Sequence, residues 1–402
     1  MHEEEIELKG HIIDSMILPR VFDKIMDMDG SFEVLKFDIG KRKTDHSYAR
    51  ILVKGKTRKH LDEILAELQK IGANIPTVNN VELERVKKEG VAPDNFYSTT
   101  NHPTSIRYKD RWIEVKYPEM DCVVVVEDNS AVCKPIGDLK RGNLVVVGHK
   151  GVRVKPPERP RGHLGVFEFM SSEVSSEKPT RTLTKKVAMA IKGIKRRGGK
   201  IAVVVGPAVV HSGASNSLAK MIHGGYVDLL LAGNGMAVHD IEYAIYGTSL
   251  GINLKTGEIT EHGHRNHLRT INMIREVGSI KDAVKKGIVK KGIMYELVKS
   301  EIPFLLSGSI RDDGPLPDVV TDVIEAQRRM RNLLRDIDMV LMFSTMLHSI
   351  AVGNLLPSYV KTICVDINPS TVTKLMDRGS AQALGIVTDV GEFIPELVKE
   401  LT

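Results

Sequence analysis

Aromatic residues make up only 5% of the chain, and Trp112 is the one tryptophan. Proteins that grip nucleic acid concentrate basic charge on one face and interleave it with aromatics. Here 57 basic residues stand against 51 acidic ones, and the basic clusters Lys41-Arg-Lys43, Lys195-Arg-Arg197 and Arg328-Arg329 are small and scattered. No nucleic-acid partner is expected. Cysteine is scarce as well: Cys122, Cys133 and Cys364 cannot all pair and have no metal-ligand spacing. Cys122 and Cys364 lie in apolar runs that suit inert buried thiols. Long apolar runs are missing, so no segment can cross a bilayer as a helix. The start Met1-His-Glu-Glu-Glu-Ile-Glu7 is acidic, unlike a signal or transit peptide. A cytoplasmic location with no membrane partner is expected. Internal repeats and low-complexity tracts are also lacking.

What is present is a globular composition, 42% hydrophobic and 27% charged over 402 residues, enough for two or three domains. Residues 1–90 read as strand, helix, strand, strand, helix. The second helix, 58–71, carries Leu61, Ile64, Leu65, Leu68 and Ile71 on one stripe and stops at Gly72. That order is a ferredoxin-like α+β plan. In residues 91–178 helical periodicity disappears. Short β-rich runs such as Cys122-Val-Val-Val-Val126 and Asn143-Leu-Val-Val-Val147 alternate with Gly and Pro turns, which suggests a small barrel or sandwich. The stretch Lys155-Pro-Pro-Glu-Arg-Pro160 reads as a stiff connector. Residues 179–402 alternate continuous apolar runs with amphipathic helices, the pattern of an α/β domain with a buried parallel sheet.

The ends of those apolar runs carry the chemistry. Ile201-Ala-Val-Val-Val205 leads into Gly206-Pro207 and then Ser212-Gly213-Ala214; the next run ends in Gly233-Asn234-Gly235-Met236. Later runs end in Ser309-Ile-Arg-Asp312-Asp313, Ser344-Thr345-Met346, Asp366-Ile367-Asn368 and Asp389. Glycines and hydroxyls at strand ends offer N–H and O–H donors to a pyrophosphate. A carboxylate at a strand end suits the hydroxyls of a ribose. Asp366 fits that role, with Asn368 beside it, and the acid favours NAD over its 2′-phosphorylated form. The alternative for Asp366 and Asp389 is helix N-capping. A G-x-G-x-x-G fingerprint is absent after the first run. The pattern instead resembles the NAD-binding fold shared by deoxyhypusine synthase and the sirtuins, without the sirtuin zinc cysteines or the lysine nucleophile of the synthase.

A second cluster lies in and before the β-rich segment: Asn101, His102 and Thr104 on an irregular stretch, then Glu119 and Asp121. Two carboxylates and several donors suit a diamino acid. The alternative is a fixed turn at Pro103 and capped strand ends. His262, His264 and His267 invite a metal reading, but no carboxylate is spaced to complete a site, and no metal is expected.

Several runs are recognisable: Phe96-Tyr-Ser-Thr-Thr-Asn-His-Pro-Thr104, Glu119-Met-Asp121, Glu168-Phe-Met-Ser-Ser172 with Ser175-Ser-Glu177, and Ala232-Gly-Asn-Gly-Met-Ala237. Over nearly its whole length the chain resembles the archaeal ornithine cyclodeaminases of the lysine-oxoglutarate reductase/saccharopine dehydrogenase-region type. The same type forms the C-terminal half of cyanobacterial arginine dihydrolase–ornithine cyclodeaminases. The resemblance implies conversion of L-ornithine to L-proline and ammonia, with NAD recycled in each turnover. It makes Asp121 or Glu119 the candidate proton acceptor, with His102 as an alternative and Asn101 as orienter. Competing readings are an opine- or saccharopine-type NAD-dependent dehydrogenase, an amino-acid sensor with a bound nucleotide and, last, a deoxyhypusine-type transferase. A homo-oligomer is expected.

Overall fold

The computed structural model describes residues 2–42, 45–76, 79–157, 180–253, 264–312, 314–377 and 383–402. The Glu168–Ser172 and Ser175–Glu177 runs, the end of the proline connector, His262 and Asp313 lie outside the described residues. The chain divides into two compact units, Met1–Glu168 with Leu356–Tyr359, and Phe169–Leu355 with Val360–Thr402. Among the described residues no helix is long and apolar enough to cross a membrane.

The first unit opens with β1 (His2–Gly10), α1 (Ile17–Asp27), β2 (Ser31–Asp38), β3 (Ser47–Gly55) and α2 (Arg58–Lys70). β3 lies between β1 and β2 and is antiparallel to both. β1 and β2 are therefore parallel strands split by a third, the split βαβ arrangement. Beyond β1, Glu7 N–H donates to the Asn74 carbonyl at 2.7 Å and Asn74 N–H returns the bond at 2.9 Å, a stub where a fourth strand would lie. The α2 stripe packs on Ile6, Leu8, Ala49, Ile51 and Val53. The helix starts at Thr57, whose hydroxyl accepts the His60 N–H at 3.1 Å.

The same unit continues with β4 (Glu82–Arg85), β5 (Thr104–Tyr108), β6 (Arg111–Lys116), β7 (Val123–Glu127), β8 (Ser130–Lys134), β9 (Leu144–Val147) and β10 (Val152–Val154). They form one seven-stranded sheet in the order β10-β5-β6-β8-β7-β9-β4. Just before β4, Val81 N–H donates to the Arg107 carbonyl in β5 at 2.8 Å, so the chain entering one end strand reaches the strand next to the other. Period-two alternation sends Val123 and Val125 to one core with Val86 and Val145, and Val124 and Val126 to another with Ile106 and Val146. β4 pairs with β9, so this sheet takes in residues before 90. The short Glu82-Leu-Glu-Arg85 run gave no periodic signal long enough to announce that.

The second unit begins with α3 (Thr180–Arg196), β11 (Ile201–Val205), α4 (Ala208–His211), α5 (Ser215–His223), β12 (Leu229–Gly233) and α6 (Asn234–Tyr246). A small hairpin follows, β13 (Thr248–Ser249) with β14 (Ile252–Asn253). Next come α7 (His264–Val277), α8 (Ile280–Lys285), α9 (Ile293–Lys299), β15 (Phe304–Ser307), β16 (Val319–Val320) and α10 (Val323–Leu333). The chain ends with β17 (Met339–Phe343), α11 (Met346–Asn354), β18 (Lys361–Asp366), α12 (Pro369–Asp377), β19 (Ala383–Val387) and α13 (Val390–Leu401). All seven strands of its main sheet are parallel, in the order β16-β15-β12-β11-β17-β18-β19. β11 and β17 are buried at every residue, as strands covered on both faces must be.

From β11 the chain steps outward through β12 and β15, then returns to β17 on the other side of β11 and steps out again. Ligands of doubly wound sheets bind where the order reverses, here between β11 and β17. At that point Gly206 N–H donates to the Phe343 carbonyl at 2.9 Å. A Cβ on Gly206 would lie 2.0 Å from the Ser344 carbonyl oxygen and 3.0 Å from the Thr345 Cβ. Only glycine lets the two loops pass this closely. Gly235, in the first turn of α6, contrasts with it: a Cβ there meets nothing nearer than Pro207 Cγ at 3.7 Å. Gly206→Ala is expected to lower stability by about 3 kcal/mol or more, whereas Gly235→Ala is neutral or stabilising by up to about 1 kcal/mol. Guanidinium unfolding midpoints of the full chain check both, and equal midpoints for the two variants would refute the packing argument.

Candidate active site

The four helices that start at the ends of β11, β12 and β17 share one trait. α4, α5, α6 and α11 have no side-chain N-cap bond. Elsewhere α2, α8, α10 and α13 are capped by Thr57, Ser279, Asp322 and Asp389. A helix start without a cap keeps first-turn N–H donors for a ligand, and its positive end favours an anion. Uncapped starts thus lie around the point where the strand order reverses, although α1 and α9 also lack a side-chain cap and Val209, Val210 and Ser217 donate their N–H groups to the backbone carbonyls of Gly206, Pro207 and Ala214.

Each predicted residue can now be placed. Pro207 leads into the single turn of α4. Ser212 and Gly213, at φ 79°, then swing the chain through buried Ala214 into α5. Asn234 is buried, and its Oδ1 accepts the Leu316 N–H at 3.0 Å, so its side chain fastens a neighbouring loop. Gly235 lies beside Pro207, and Met236 is buried beneath. Ser344 holds a left-handed φ of 47° and donates its N–H to the Val365 carbonyl at 3.0 Å. Thr345 and Met346 then start α11. Asp366, 7% exposed at the end of β18, accepts the Asn368 N–H at 2.8 Å, and Ile367 between them faces solvent. Asn368 Oδ1 accepts the Ser370 N–H at 3.0 Å in the first turn of α12.

Three predicted residues serve local structure. Asp389 caps α13, its Oδ1 accepting the Gly391 N–H at 2.7 Å, and Gly391 packs against Ser212. Ser309 and Asp312 close a turn on themselves: Ser309 N–H donates to Asp312 Oδ2 at 2.8 Å, and Ser309 Oγ accepts the Arg311 N–H at 3.1 Å.

One residue at these strand ends escaped the sequence reading. His348, in α11, lies 3.4 Å from Thr345 Oγ1 through its Nδ1, and its Cε1 would stand 2.8 Å from a Cβ on Gly233. Burial holds its imidazole below the ordinary histidine value, against the pull of the nearby Asp312 carboxylate. The i, i+3 spacing from Thr345 to His348 was the available signal.

In the first unit, Asn101, His102, Glu119 and Asp121 are brought together by Thr99. Its N–H donates to the Cys122 carbonyl at 3.0 Å, its carbonyl accepts the Asp121 N–H at 3.2 Å, and its hydroxyl donates to the Glu119 carbonyl at 2.6 Å. Asp121 sits at φ 58°, in the left-handed region, and is exposed; Glu119 and Asn101 are buried. The Asn101 carbonyl accepts the Ser358 N–H at 2.8 Å, from the Leu356–Tyr359 segment that belongs to this unit. Thr104 donates its hydroxyl to the His102 carbonyl at 2.9 Å, the turn-fixing role foreseen as its alternative. Burial lowers the His102 pKa, which keeps the ring neutral, and its buried Nδ1 has no hydrogen-bond partner among the described residues. All three cysteines are buried and form no disulfide among the described residues, and burial with Asp366 nearby pushes Cys364 up to about 12.

Comparison with known proteins covers the whole chain. Residues 185–397 match the family described as arginine dihydrolase ArgZ-like, C-terminal, Rossmann fold. Residues 3–102 match the LOR/SDH bifunctional enzyme conserved region, and 103–184 the ArgZ-like C-terminal first region. The ornithine cyclodeaminase of Methanocaldococcus jannaschii is 61% identical over 100% of this chain and 96% of its own length. A crystal structure of cyanobacterial ArgZ without ligand matches 100% of this chain and 58% of that one, at 41% identity and a TM-score of 0.87. A ternary complex of AgrE, the bifunctional Nostoc enzyme, with ornithine and NAD+ matches 100% of this chain and 57% of that one, at 42% identity and a TM-score of 0.55. The chain belongs to the archaeal ornithine cyclodeaminase family.

Proposed function

We infer that this protein is an ornithine cyclodeaminase, converting L-ornithine to L-proline and ammonia with no net change in NAD. The observation that carries the reading is the end-to-end match to a curated ornithine cyclodeaminase at 61% identity. The uncapped helix starts around Gly206 and Ser344 support a dinucleotide at the reversal point of the second sheet. NAD, when bound, takes a hydride from the substrate and returns it, so the cofactor leaves each cycle unchanged. In our assignment the loops at 206–207, 212–214, 233–236 and 344–346 hold its phosphates, and Asp366 with Asn368 holds the adenosine ribose. Asp389 and the Ser309–Asp312 turn shape the loops around it. The same reading takes residues 179–402 as a fold of the deoxyhypusine synthase and sirtuin kind. It takes 1–90 as a ferredoxin-like domain, whose last strand β4 joins the sheet of the next, and 91–178 as a β-rich barrel.

Within the first unit, Glu119 and Asp121 supply the negative charge that a diamino acid requires, and one of them accepts the proton lost from the α-ammonium. His102, kept neutral by burial, is the second candidate acceptor. Asn101 orients the substrate. The δ-amine attacks Cα, the α-nitrogen leaves as ammonia, and the chain must keep water from intercepting the carbon between these events.

Incubation with ornithine and catalytic NAD+ is expected to release ammonia and proline without a rise in absorbance of the reduced cofactor. A stoichiometric rise would instead mark an opine- or saccharopine-type dehydrogenase. Glu119→Gln and Asp121→Asn are to be compared with wild type. Loss of the proton acceptor lowers kcat/KM by about 10²- to 10⁴-fold, and full turnover in both variants removes them from the mechanism. Asp366→Ala is expected to weaken NAD binding by about 1.5–3 kcal/mol, the worth of hydrogen bonds to a charged group, as read by fluorescence titration. An unchanged Kd would remove Asp366 from the ribose site.

The expectation of a homo-oligomer gains a candidate surface in β2. This edge strand exposes Val34 (45%), Leu35 (44%) and Phe37 (40%), and unpaired apolar edges promote strand addition. We assign β2 to a self-association interface. Phe37→Glu is expected to shift the sedimentation coefficient to that of a smaller species, and an unshifted assembly would exclude this edge.

A further inference from the structure

α6 turns two polar residues inward one helical turn apart. His239 and Glu242 stand at i and i+3, the first 7% exposed and the second fully buried. Glu242 Oε2 lies 3.6 Å from His239 Nδ1 and 3.8 Å from His267 Nδ1, and the three ligand atoms all fall within 4.8 Å of one another. His267 lies within α7 and its side chain is largely buried. The carboxylate that the histidine spacing seemed to lack comes from a different helix.

The surroundings are organised for a ligand at Glu242 Oε2. Oε1 is occupied by the Thr248 hydroxyl at 2.8 Å and the Gly251 N–H at 3.2 Å. Asn266 in turn donates its side-chain N–H to Thr248 at 3.1 Å. The Leu250 N–H donates more weakly to Oε2 at 3.3 Å. Burial pushes the Glu242 carboxyl up, but the His239 ring, the Thr248 hydroxyl and the Gly251 N–H outweigh it and hold the group below the usual carboxylate range. The buried His239 Nδ1 has no hydrogen-bond partner among the described residues. Among those residues the basic groups within ion-pair distance of Glu242 are the two imidazoles. A buried ionised carboxylate needs a positive charge, and a cation accepting both imidazole lone pairs would provide it.

We propose that His239, Glu242 and His267 bind a first-row divalent cation of the zinc type, with one or more coordination positions left open. Two imidazoles and a carboxylate are a recurrent three-ligand zinc set. A tetrahedral ion with bonds of about 2.0–2.1 Å keeps its ligands about 3.3 Å apart, so the 3.6 and 3.8 Å separations to Glu242, and the histidine pair within 4.8 Å, must contract on binding. Thr248, Gly251 and Asn266 are the outer layer that orients such ligands. The site lies wholly in the second unit, and it stands or falls independently of the cyclodeaminase assignment.

The test uses the full chain stripped with a chelator and then titrated with Zn²⁺ against a competing chromophoric chelator. One equivalent is expected to bind and to raise the melting temperature. His239→Ala, Glu242→Gln and His267→Ala are each expected to weaken binding by at least about tenfold, while His223→Ala, an exposed histidine elsewhere on the unit, leaves it unchanged. Co²⁺ loaded into wild type offers a readout that no variant can confound: visible d–d bands of a four- or five-coordinate nitrogen–oxygen site are expected. Absence of saturable binding and of those bands overturns the proposal. So does a rise in the KM for ornithine in Glu242→Gln with no metal bound to wild type, which would give the cluster to substrate recognition instead. Ammonia release from ornithine is measured separately, so loss of the metal reading leaves the reaction untouched, and the reverse also holds.

Discussion

The second unit depends on two main chains passing within contact of each other at Gly206 and Ser344. β11 and β17 are neighbours in space but stand far apart in sequence, and their crossover helices depart in opposite directions from the point where the order reverses. The crevice thus formed is useful only if main-chain donors converge at its floor. Gly206 allows this by lacking a Cβ, and Ser344 by adopting a left-handed φ of 47°. Such a conformation costs a non-glycine residue about 1 kcal/mol or more and persists where the surroundings enforce it. The bond from Ser344 N–H to the Val365 carbonyl, and that from Gly206 N–H to the Phe343 carbonyl, are what enforce it here.

Under the proposed NAD assignment, this arrangement would stand in for the three-glycine turn of the usual dinucleotide crevice. In that turn one glycine permits the backbone to approach the pyrophosphate and another lets helix and strand pack closely. Here close approach occurs between neighbouring strand-end loops. The helix after β11 is reduced to the single turn of α4, too short to concentrate much dipole at its start. The helices after β12 and β17 also start without a side-chain cap.

Much of this was legible in the sequence, and for identifiable reasons. Five fully buried strand residues leave a continuous apolar run, and Ile201–Val205 and Met339–Phe343 announced a covered parallel sheet without ambiguity. The α2 stripe and the β-rich runs were equally readable, since their periods are local. Strand order was not, because a pairing such as Ala202 with Val340 has no trace in either neighbourhood. Nor could spacing separate two uses of aspartate at a strand end. Asp366 turns its carboxylate to Asn368 in a buried setting, whereas Asp389 caps the next helix, and both follow an apolar run before a helical one.

α6 marks the limit of pattern reading most clearly. It is buried on nearly all sides, so it has no apolar stripe for a periodic pattern to reveal, and its inward residues include Asn234, His239, Asp240 and Glu242. Each buried carboxylate must find donors or be expelled. Asp240 accepts the Ser215 hydroxyl at 2.5 Å and the Met294 N–H at 2.8 Å, tying α5 and α9 to α6; burial pushes its carboxyl up, only partly offset by these bonds. Glu242, two positions on, has its carboxyl held down instead. Two acids two residues apart on one helix thus shift in opposite directions, because one is surrounded by neutral donors alone and the other also faces imidazoles. A stability requirement alone would be met by apolar residues at both positions. Retaining both acids is consistent with Asp240 serving to hold the helix in place so that Glu242 can present a charge, and that division of labour appears only when the helix is seen among its neighbours.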